Sequence, residues 1–262
     1  LDSAEQLALC HQLSHDHALD SLWRARAEQA QLFGDWPAAA TAIACGGERE
    51  HPLGEYWELP YRALTLVQAL AQRDGGAIKR LSQQLEQQLA GHSYCQQWQL
   101  RARQALLLAA VVRGDQPALQ ALAAELVLAP DDLHLPALQQ SLLAAWCRWH
   151  LGQPPVAASH LAAACQQQGL VWLAWRWQFL QVVAAAPAEP PAAVIAQLQQ
   201  GYIWDLLLAG PPALPLWERW LTGPALAKND AAHDSLLRVI AWCSTTPEVD
   251  AGQQCPCPDP RL

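Results

Sequence analysis

The residues best suited to chemistry lie near the start of the sequence, where His11 and His15 are four positions apart, with Cys10 and Asp16 close by. Histidines four residues apart on a helix share one face and can ligate zinc together. A catalytic zinc site also needs a third ligand and a base, and no His-Glu-x-x-His motif accompanies this pair. We therefore favour a solvated helix end and predict neither a metal site nor a cofactor.

A cysteine pair and an acidic pair are weaker candidates for a metal or redox site. Cys255 and Cys257 are separated by one residue, which is not the Cys-x-x-Cys spacing, and no second pair matches them. Asp131 and Asp132 follow Pro130 at a turn, where they are expected to cap the next helix rather than to bind a metal. No Ser/His/Asp or Cys/His arrangement can be assembled, so we predict no catalytic residue and no enzyme.

Tryptophan and arginine supply the remaining candidates. The chain has 13 tryptophans, and Trp172, Trp175 and Trp177 cluster around Arg176. Helical spacing predicts that Trp172 and Trp175 pack inside and that Trp177 points elsewhere. Exposed tryptophan and arginine are enriched at binding hot spots. The predicted partner-binding residues are Arg62, Arg101, Arg103, Arg176 and Trp177.

The arginines of this set have two interpretations. If they line one groove, their guanidinium groups would suit an acidic peptide or a carboxylate-bearing ligand through bidentate hydrogen bonds. Alternatively, they pair with nearby glutamates and cover the repeat edges with their aliphatic stems. The sequence leaves both interpretations open.

The elements that must position these residues are helices joined by a recurring turn. The pattern that begins at Gly34 returns at Gly75, Gly114 and Gly152, at intervals of 41, 39 and 38 residues. Each copy joins a stretch with apolar residues at three- and four-residue intervals to a second, alanine-rich helix. The pattern predicts an all-α fold, an α-solenoid of about four to five helical-hairpin repeats with a C-terminal helical cap.

The repeats divide the chain into three regions. Residues 1–200 are assigned to the solenoid, including a fainter fifth copy at 188–193 that lacks its glycine. Residues 201–243 lose the pattern and are assigned to capping helices, because terminal repeats must present one face to water. Residues 244–262 contain four prolines and are predicted to be disordered.

Composition excludes several classes of function. Hydrophobic residues make up 52% of the chain and charged residues 15%, which favours an ordered core. The net charge of −8 argues against binding to nucleic acid or an anionic membrane, since both rely on lysine and arginine. No apolar run is long enough to span a bilayer. Most of the eight cysteines are scattered singly, which favours buried reduced thiols in a cytoplasmic protein.

The turn motif, a small residue such as Ala39 or Ala157 shortly after it, and Pro130-Asp131-Asp132 after a second helix together carry a family resemblance. Residues 19–200 resemble the tetratricopeptide-like helical repeats, and more closely the longer repeats in the sensor region of bacterial MalT-like, LuxR-type regulators. The period is nearer 39 than the tetratricopeptide value of about 34. Trp23 alone matches the aromatic residue expected early in the first helix.

The resemblance implies binding along the concave surface formed by one set of helices. Our leading hypothesis is a non-catalytic cytoplasmic scaffold that binds a protein or peptide partner in this groove. The alternative is the ligand-sensing repeat region of a larger transcriptional regulator, with a small-molecule effector bound between repeats. Such regulators also carry nucleotide-binding and DNA-reading domains, and this sequence contains neither a phosphate loop nor a basic recognition helix.

Overall fold

The computed structural model of the chain describes residues 16–47, 55–91, 94–129, 131–155 and 158–245. These residues form thirteen α-helices and one short 3-10 helix and contain no strand, which confirms the predicted all-α class. None of the described helices is long and apolar enough to cross a bilayer. In chain order the helices are α1 (Asp16–Leu32), α2 (Trp36–Gly47), α3 (Glu55–Gln72), α4 (Gly75–Gly91), α5 (Gln96–Arg113), α6 (Gln116–Glu125), α7 (Leu135–His150), α8 (Ala158–Gln167), α9 (Val171–Ala185), α10 (Ala192–Gln199), α11 (Trp204–Ala209), α12 (Leu214–Leu221) and α13 (Asp230–Ser244).

Some sequence-based predictions fall on other parts of the chain. The candidate zinc ligands at positions 10, 11 and 15 and the cysteines at 255 and 257 lie outside the described residues. The same holds for positions 246–262 of the predicted tail, whereas Ser244 is the last residue of α13. The predictions of no metal site near the N-terminus and of a disordered C-terminal tail are therefore not tested at these positions.

One type of turn ends α1, α3 and α5. At the end of α1, Gly34 has a left-handed φ of 67°, and the N–H of Asp35 donates to the carbonyl of Ala30 at 2.8 Å. This bond closes the helix end, and glycine favours the left-handed position because it has no Cβ. The Asp35 carboxylate accepts from the N–H of Ala38 at 3.1 Å and so caps α2. The corresponding aspartates are Asp74 and Asp115.

The second turn lies two residues earlier than the sequence pattern places it. The left-handed residue there is Arg73, with φ of 60°, while Gly75 is the first residue of α4. At the end of α9 the left-handed position is held by Ala186, with φ of 45°. The left-handed residues that end α1, α3, α5, α7 and α9 are therefore 34 to 41 residues apart.

The acidic pair after α6 does not cap α7, so the capping prediction for Asp131 and Asp132 is wrong. The residue before α7 is His134, and no side chain caps the helix. Asp132 Oδ1 instead accepts from the backbone N–H of His134 at 3.1 Å. Pro136 occupies the second helical position and has no N–H, which removes one of the donors that a cap would bind.

The helices pack mainly on their neighbours in sequence. Each of α1 to α6 packs on the next helix, α8 packs on α9, and the odd-numbered helices α1 to α9 also pack on one another in order. One continuous cluster of buried side chains extends from Leu59 to Cys243. A smaller one joins α1, α2 and α3 through Ala27, Ala42, Tyr61 and Leu64.

The C-terminal helices contact early helices as well as late ones. All six residues of α11 are buried, and this helix packs on α5, α7, α9 and α13. Just before α11, the N–H of Ile203 donates to the carbonyl of Leu32 at 3.0 Å. From α13, Arg238 donates to the carbonyl of Phe33 at 3.1 Å, and the Arg73 guanidinium lies 4.7 Å from the centre of the Trp242 ring. One side of the odd-numbered helices is therefore covered by the chain's own C-terminal segment.

Candidate functional site

The five residues predicted to bind a partner do not converge on one surface. Arg62 lies on α3, Arg101 and Arg103 lie on different sides of α5, and Arg176 and Trp177 lie on α9. Arg101 lines a small cavity beside α1 and α3, whereas Arg103 lines a cleft beside α4 and α6. The five predicted residues therefore lie in different parts of the molecule and do not form one binding surface.

Each of the four arginines lies next to an acidic side chain of the same chain. The nitrogen to oxygen distances are 2.7 Å for Arg62–Glu58, 3.0 Å for Arg101–Glu28, 3.6 Å for Arg103–Glu125 and 2.7 Å for Arg176–Asp205. The first three pairs are partly exposed, and such pairs contribute about 0–1 kcal/mol each. The arrangement corresponds to the alternative interpretation, in which these arginines pair with acidic side chains of the chain itself.

The fourth pair is buried and fixes α11 against α9. The Nε of Arg176 donates to Asp205 Oδ1 at 2.7 Å, and the hydroxyl of Tyr202 donates to Asp205 Oδ2 at 3.1 Å. Asp205 is fully buried and Arg176 is 9% exposed. Burial acts to lower the pKa of Arg176, but the Asp205 carboxylate raises it, and the net shift is upward. Burial, reinforced by Asp205, raises the pKa of Tyr202. Both carboxylate oxygens of Asp205 are therefore engaged within the fold, and the network joins α9 to α11.

The tryptophans of α9 are oriented opposite to the prediction from helical spacing. Trp177 is fully buried, while Trp172 is 47% exposed. The expectation that Trp172 packs inside and Trp177 outside is therefore wrong. Since α9 is contacted by α7, α8 and α11, apolar residues are needed on several of its faces, and spacing alone does not show which face meets water.

His150 is a buried titratable residue that the sequence reasoning did not single out. Its Nε2 lies 2.8 Å from the carbonyl oxygen of Leu208, and its ring stacks on Trp146 and meets Trp149 edge to face. Burial lowers the pKa of His150 to about 4, although the bond to Leu208 opposes the shift. At neutral pH the imidazole is uncharged and donates to Leu208, so it joins α7 to α11.

A small cavity lies where Trp204 of α11 meets α1, α3 and α5. Gln31, Gln104 and Trp204 are among the residues that line it, and its volume is about 30 Å³. Gln104 Oε1 and Trp204 Nε1 are buried there without a hydrogen-bond partner among the described residues. The volume corresponds to about one water molecule, which could bridge such groups.

The other side of α5 is open. Residues of α4, α5 and α6 line a cleft of about 680 Å³, with α5 along its length. Alanine and leucine side chains form much of its lining. Its polar members are Ser82 and Glu86 from α4, Arg103 and Arg113 from α5, Asp115 from the turn and Glu125 from α6. The apolar and small residues are Leu89, Ala90, Leu106, Ala109, Ala110, Ala118, Ala121 and Leu122.

The polar groups of this cleft carry both signs of charge. Burial raises the pKa of Glu86, Arg113 opposes the shift, and Asp115 and Glu125 add to it. Arg113 lies 3.2 Å from Asp115. The hydroxyl of Ser82 is buried and bonds to nothing within the described part of the chain. A buried hydroxyl without a partner costs free energy, and because its oxygen has almost no accessible surface it is not offered to a ligand in the cleft.

Of the residues that line this cleft, Arg103 was predicted from the sequence to bind a partner and the others were not. The spacing of the lining residues does indicate one face of each helix: positions 82, 86 and 89 of α4, and positions 103, 106 and 110 of α5, are three or four residues apart. The sequence does not show that these two faces meet. No metal-binding cluster of histidine, cysteine or acidic side chains occurs within 16–47, 55–91, 94–129, 131–155 and 158–245.

Comparison with known proteins does not supply a family. No protein-family model matches the chain, and neither a curated protein nor a solved structure matches it.

Proposed function

We propose that this protein is a non-catalytic helical-repeat scaffold and that the cleft between α4, α5 and α6 receives a peptide segment of a partner protein. The observation that carries the proposal is the cleft itself, an opening of about 680 Å³ along one side of α5. The opposite side of α5 is covered by α11. Arg103 is the residue of the predicted partner-binding set that lines this cleft.

We further propose that the hairpins are repeats of an α-solenoid similar to tetratricopeptide-like and MalT-like repeats. Support comes from the recurrence of one turn, with a left-handed residue followed by a capping aspartate at Asp35, Asp74 and Asp115. Cys147, Cys165 and Cys243 are buried free thiols, which supports a cytoplasmic location.

The dimensions of the cleft set the size of its occupant. Along α5 it extends from Arg103 to Arg113, which at 1.5 Å per residue is about 15 Å. This length accommodates about ten residues of helix or four to five residues of extended peptide. Small residues such as Ala109 and Ala121 let an apolar side chain of the partner approach the helices closely.

The charges indicate that the occupant is not purely acidic. Arg103 and Arg113 face a peptide together with three carboxylates, those of Glu86, Asp115 and Glu125. A run of acidic residues would meet more negative than positive groups, so a segment with both signs of charge and an apolar anchor fits better.

A small-molecule effector is the second candidate occupant, as expected of a sensor region. The volume of the cleft lies within the range of about 300–1,000 Å³ found for small-molecule sites. The mixed charges around Arg113 and Glu86 would suit a zwitterionic compound. The peptide candidate predicts that a partner protein is recovered together with the chain, and the small-molecule candidate predicts that a metabolite is recovered instead.

Photo-crosslinking from the cleft tests the proposal. A benzophenone amino acid is introduced in place of Ala121, which lines the cleft, and separately in place of Ala124, which is exposed on the same helix but does not line it. Each variant is irradiated in a lysate of the native host, and adducts are identified by mass spectrometry. The Ala121 position should yield a protein adduct that the Ala124 position does not.

A filling substitution provides the second half of the test. Ala121→Trp should occupy the cleft and abolish capture of the same protein by an affinity-tagged chain, while Ala124→Trp should leave capture intact. Equal capture by the two variants would contradict a peptide site here. Loss of a bound metabolite in Ala121→Trp, with no protein adduct, would replace the peptide by the small-molecule candidate.

A further inference from the structure

A second surface of the molecule is apolar and exposed. Six large hydrophobic side chains are exposed in the part of the chain that the structure describes, and five of them fall in two short segments. Val127 and Leu133 belong to the connection between α6 and α7, Leu135 begins α7, and Val171 and Trp172 begin α9. The most exposed are Val171 at 69% and Val127 at 63%. We refer to these five residues as the Trp172 patch.

The two segments of the patch meet in space. Gln168, just before α9, donates from Nε2 to the carbonyl of Leu133 at 3.1 Å. Gln168, Leu133 and Leu135 also line one broad, open depression, together with Ala129 and the acidic pair before α7. Val171 and Trp172 follow Gln168 by three and four residues. The hydrogen bond therefore holds the exposed start of α9 beside the exposed α6–α7 connection.

Among the described residues, two carboxylates and neither lysine nor arginine line the depression beside the patch. Asp131 and Asp132 are exposed and line the depression. The segments 126–147 and 158–175 contain no lysine or arginine. None of the five patch residues lines the cleft between α4, α5 and α6.

We propose that the Trp172 patch is a docking surface for a partner segment in which apolar side chains are flanked by lysine or arginine. Trp172 and the neighbouring aliphatic side chains supply an apolar contact, and tryptophan is among the residues most enriched at binding hot spots. Asp131 and Asp132 attract the flanking cations and fix the direction of the segment.

The charge distinguishes this occupant from two others. Two copies of the patch brought face to face would oppose like charges, in a chain whose net charge is −8. An anionic membrane surface would be repelled by the same carboxylates. A cationic, apolar segment is the partner that satisfies both features of the surface. The proposal does not depend on the function of the cleft.

Selection from displayed random peptides tests this proposal, and it does not require that the natural partner be identified first. The immobilised wild-type chain is panned against the library after depletion on the Trp172→Ser variant. Enriched peptides should combine leucine, isoleucine or aromatic residues with lysine or arginine. Binding of a synthetic enriched peptide should weaken by about tenfold or more in Trp172→Ser, since truncated hot-spot residues cost at least this much.

Three variants make the result specific. Leu237→Ser removes an exposed hydrophobic side chain on α13, outside the patch, and should leave affinity unchanged. The double variant Asp131→Asn with Asp132→Asn should weaken binding and reduce its dependence on salt concentration. Ala121→Trp, which blocks the cleft, should have no effect, and this separates failure of the present proposal from failure of the cleft site.

Three results would overturn the proposal. The first is a selection that enriches no peptide dependent on Trp172, or one that enriches acidic peptides. The second is concentration-dependent dimerisation in light scattering that Trp172→Ser abolishes, which would make a second copy the occupant. The third is co-sedimentation with phosphatidylglycerol vesicles that is lost in Trp172→Ser.

Discussion

The buried ion pair between Arg176 and Asp205 is the contact whose loss the structure predicts most sharply. Asp205 is fully buried, accepts from Arg176 at 2.7 Å and from Tyr202 at 3.1 Å, and lies on the buried helix α11. The substitution Asp205→Asn keeps the shape of the side chain and removes its charge. It leaves the Arg176 guanidinium in a buried site without a counter-ion.

The expected loss of stability follows from that uncompensated charge. Removing one partner of a buried ion pair costs about 3–5 kcal/mol, and a domain is typically stable by about 5–15 kcal/mol. Asp205→Asn should therefore lose about 3 kcal/mol, because the amide oxygen of the new side chain can still accept one hydrogen bond. The matched control is Glu28→Gln, which removes the charge from the partly exposed Arg101–Glu28 pair and should cost less than about 1 kcal/mol.

Equilibrium unfolding in urea, followed by tryptophan fluorescence and circular dichroism, measures both free energies. The double variant Arg176→Met with Asp205→Leu completes the test, because replacing both charges by apolar groups avoids a buried unpaired ion. This double variant should be more stable than Asp205→Asn. A loss below about 1 kcal/mol for Asp205→Asn, or a double variant less stable than the single one, would refute the assignment of a charged, desolvated pair.

Three further predictions concern buried groups and the backbone. Because the pKa of His150 is about 4 in the folded chain and the ordinary value is 6.5, the unfolded chain binds more protons between them. The free energy of unfolding should be highest above pH 6.5 and fall by about 3 kcal/mol as the pH drops to 4. His150→Gln should remove this part of the pH dependence, as measured by urea unfolding at each pH. Burial raises the pKa of the Cys243 thiol to about 12, whereas Cys45 is exposed. Timed alkylation read by mass spectrometry should therefore modify Cys45 first, and equal rates would contradict the burial of Cys243. Gly210 has φ of 59° and ψ of −159°, so Gly210→Ala should lose about 2–3 kcal/mol in thermal or urea unfolding, against about 1 kcal/mol for Gly114→Ala at an ordinary left-handed turn.

Local features of the fold could be predicted from the sequence. The turns at Gly34 and Gly114 were identified because a left-handed residue followed by aspartate is specified within a few positions of the chain. The same reasoning misplaced the second turn by two residues. There the left-handed position is held by Arg73, a residue type that gives no such signal, while the nearby glycines begin α4.

Features that depend on long-range contacts could not be predicted. Nothing near Asp205 in the sequence indicates that it pairs with Arg176, 29 positions away, or that α11 packs on α5, α7 and α9. The error over Trp177 arises because α7, α8 and α11 all contact α9 and cover several of its faces. The exposure of Trp172 follows from its place in the first turn of α9, a boundary that periodicity does not fix.

The two arginines of α5 show how the fold separates structural from binding roles. Arg101 and Arg103 are two positions apart, which on a helix turns their side chains about 200° from each other. Arg101 pairs with Glu28 near the small cavity beside Trp204, on the side where α11 packs. Arg103 lines the open cleft, and its Nε is 3.6 Å from Glu125, too far for a hydrogen bond. Arg103→Ala should therefore weaken peptide capture with little change in unfolding free energy, whereas Arg101→Ala should leave capture intact.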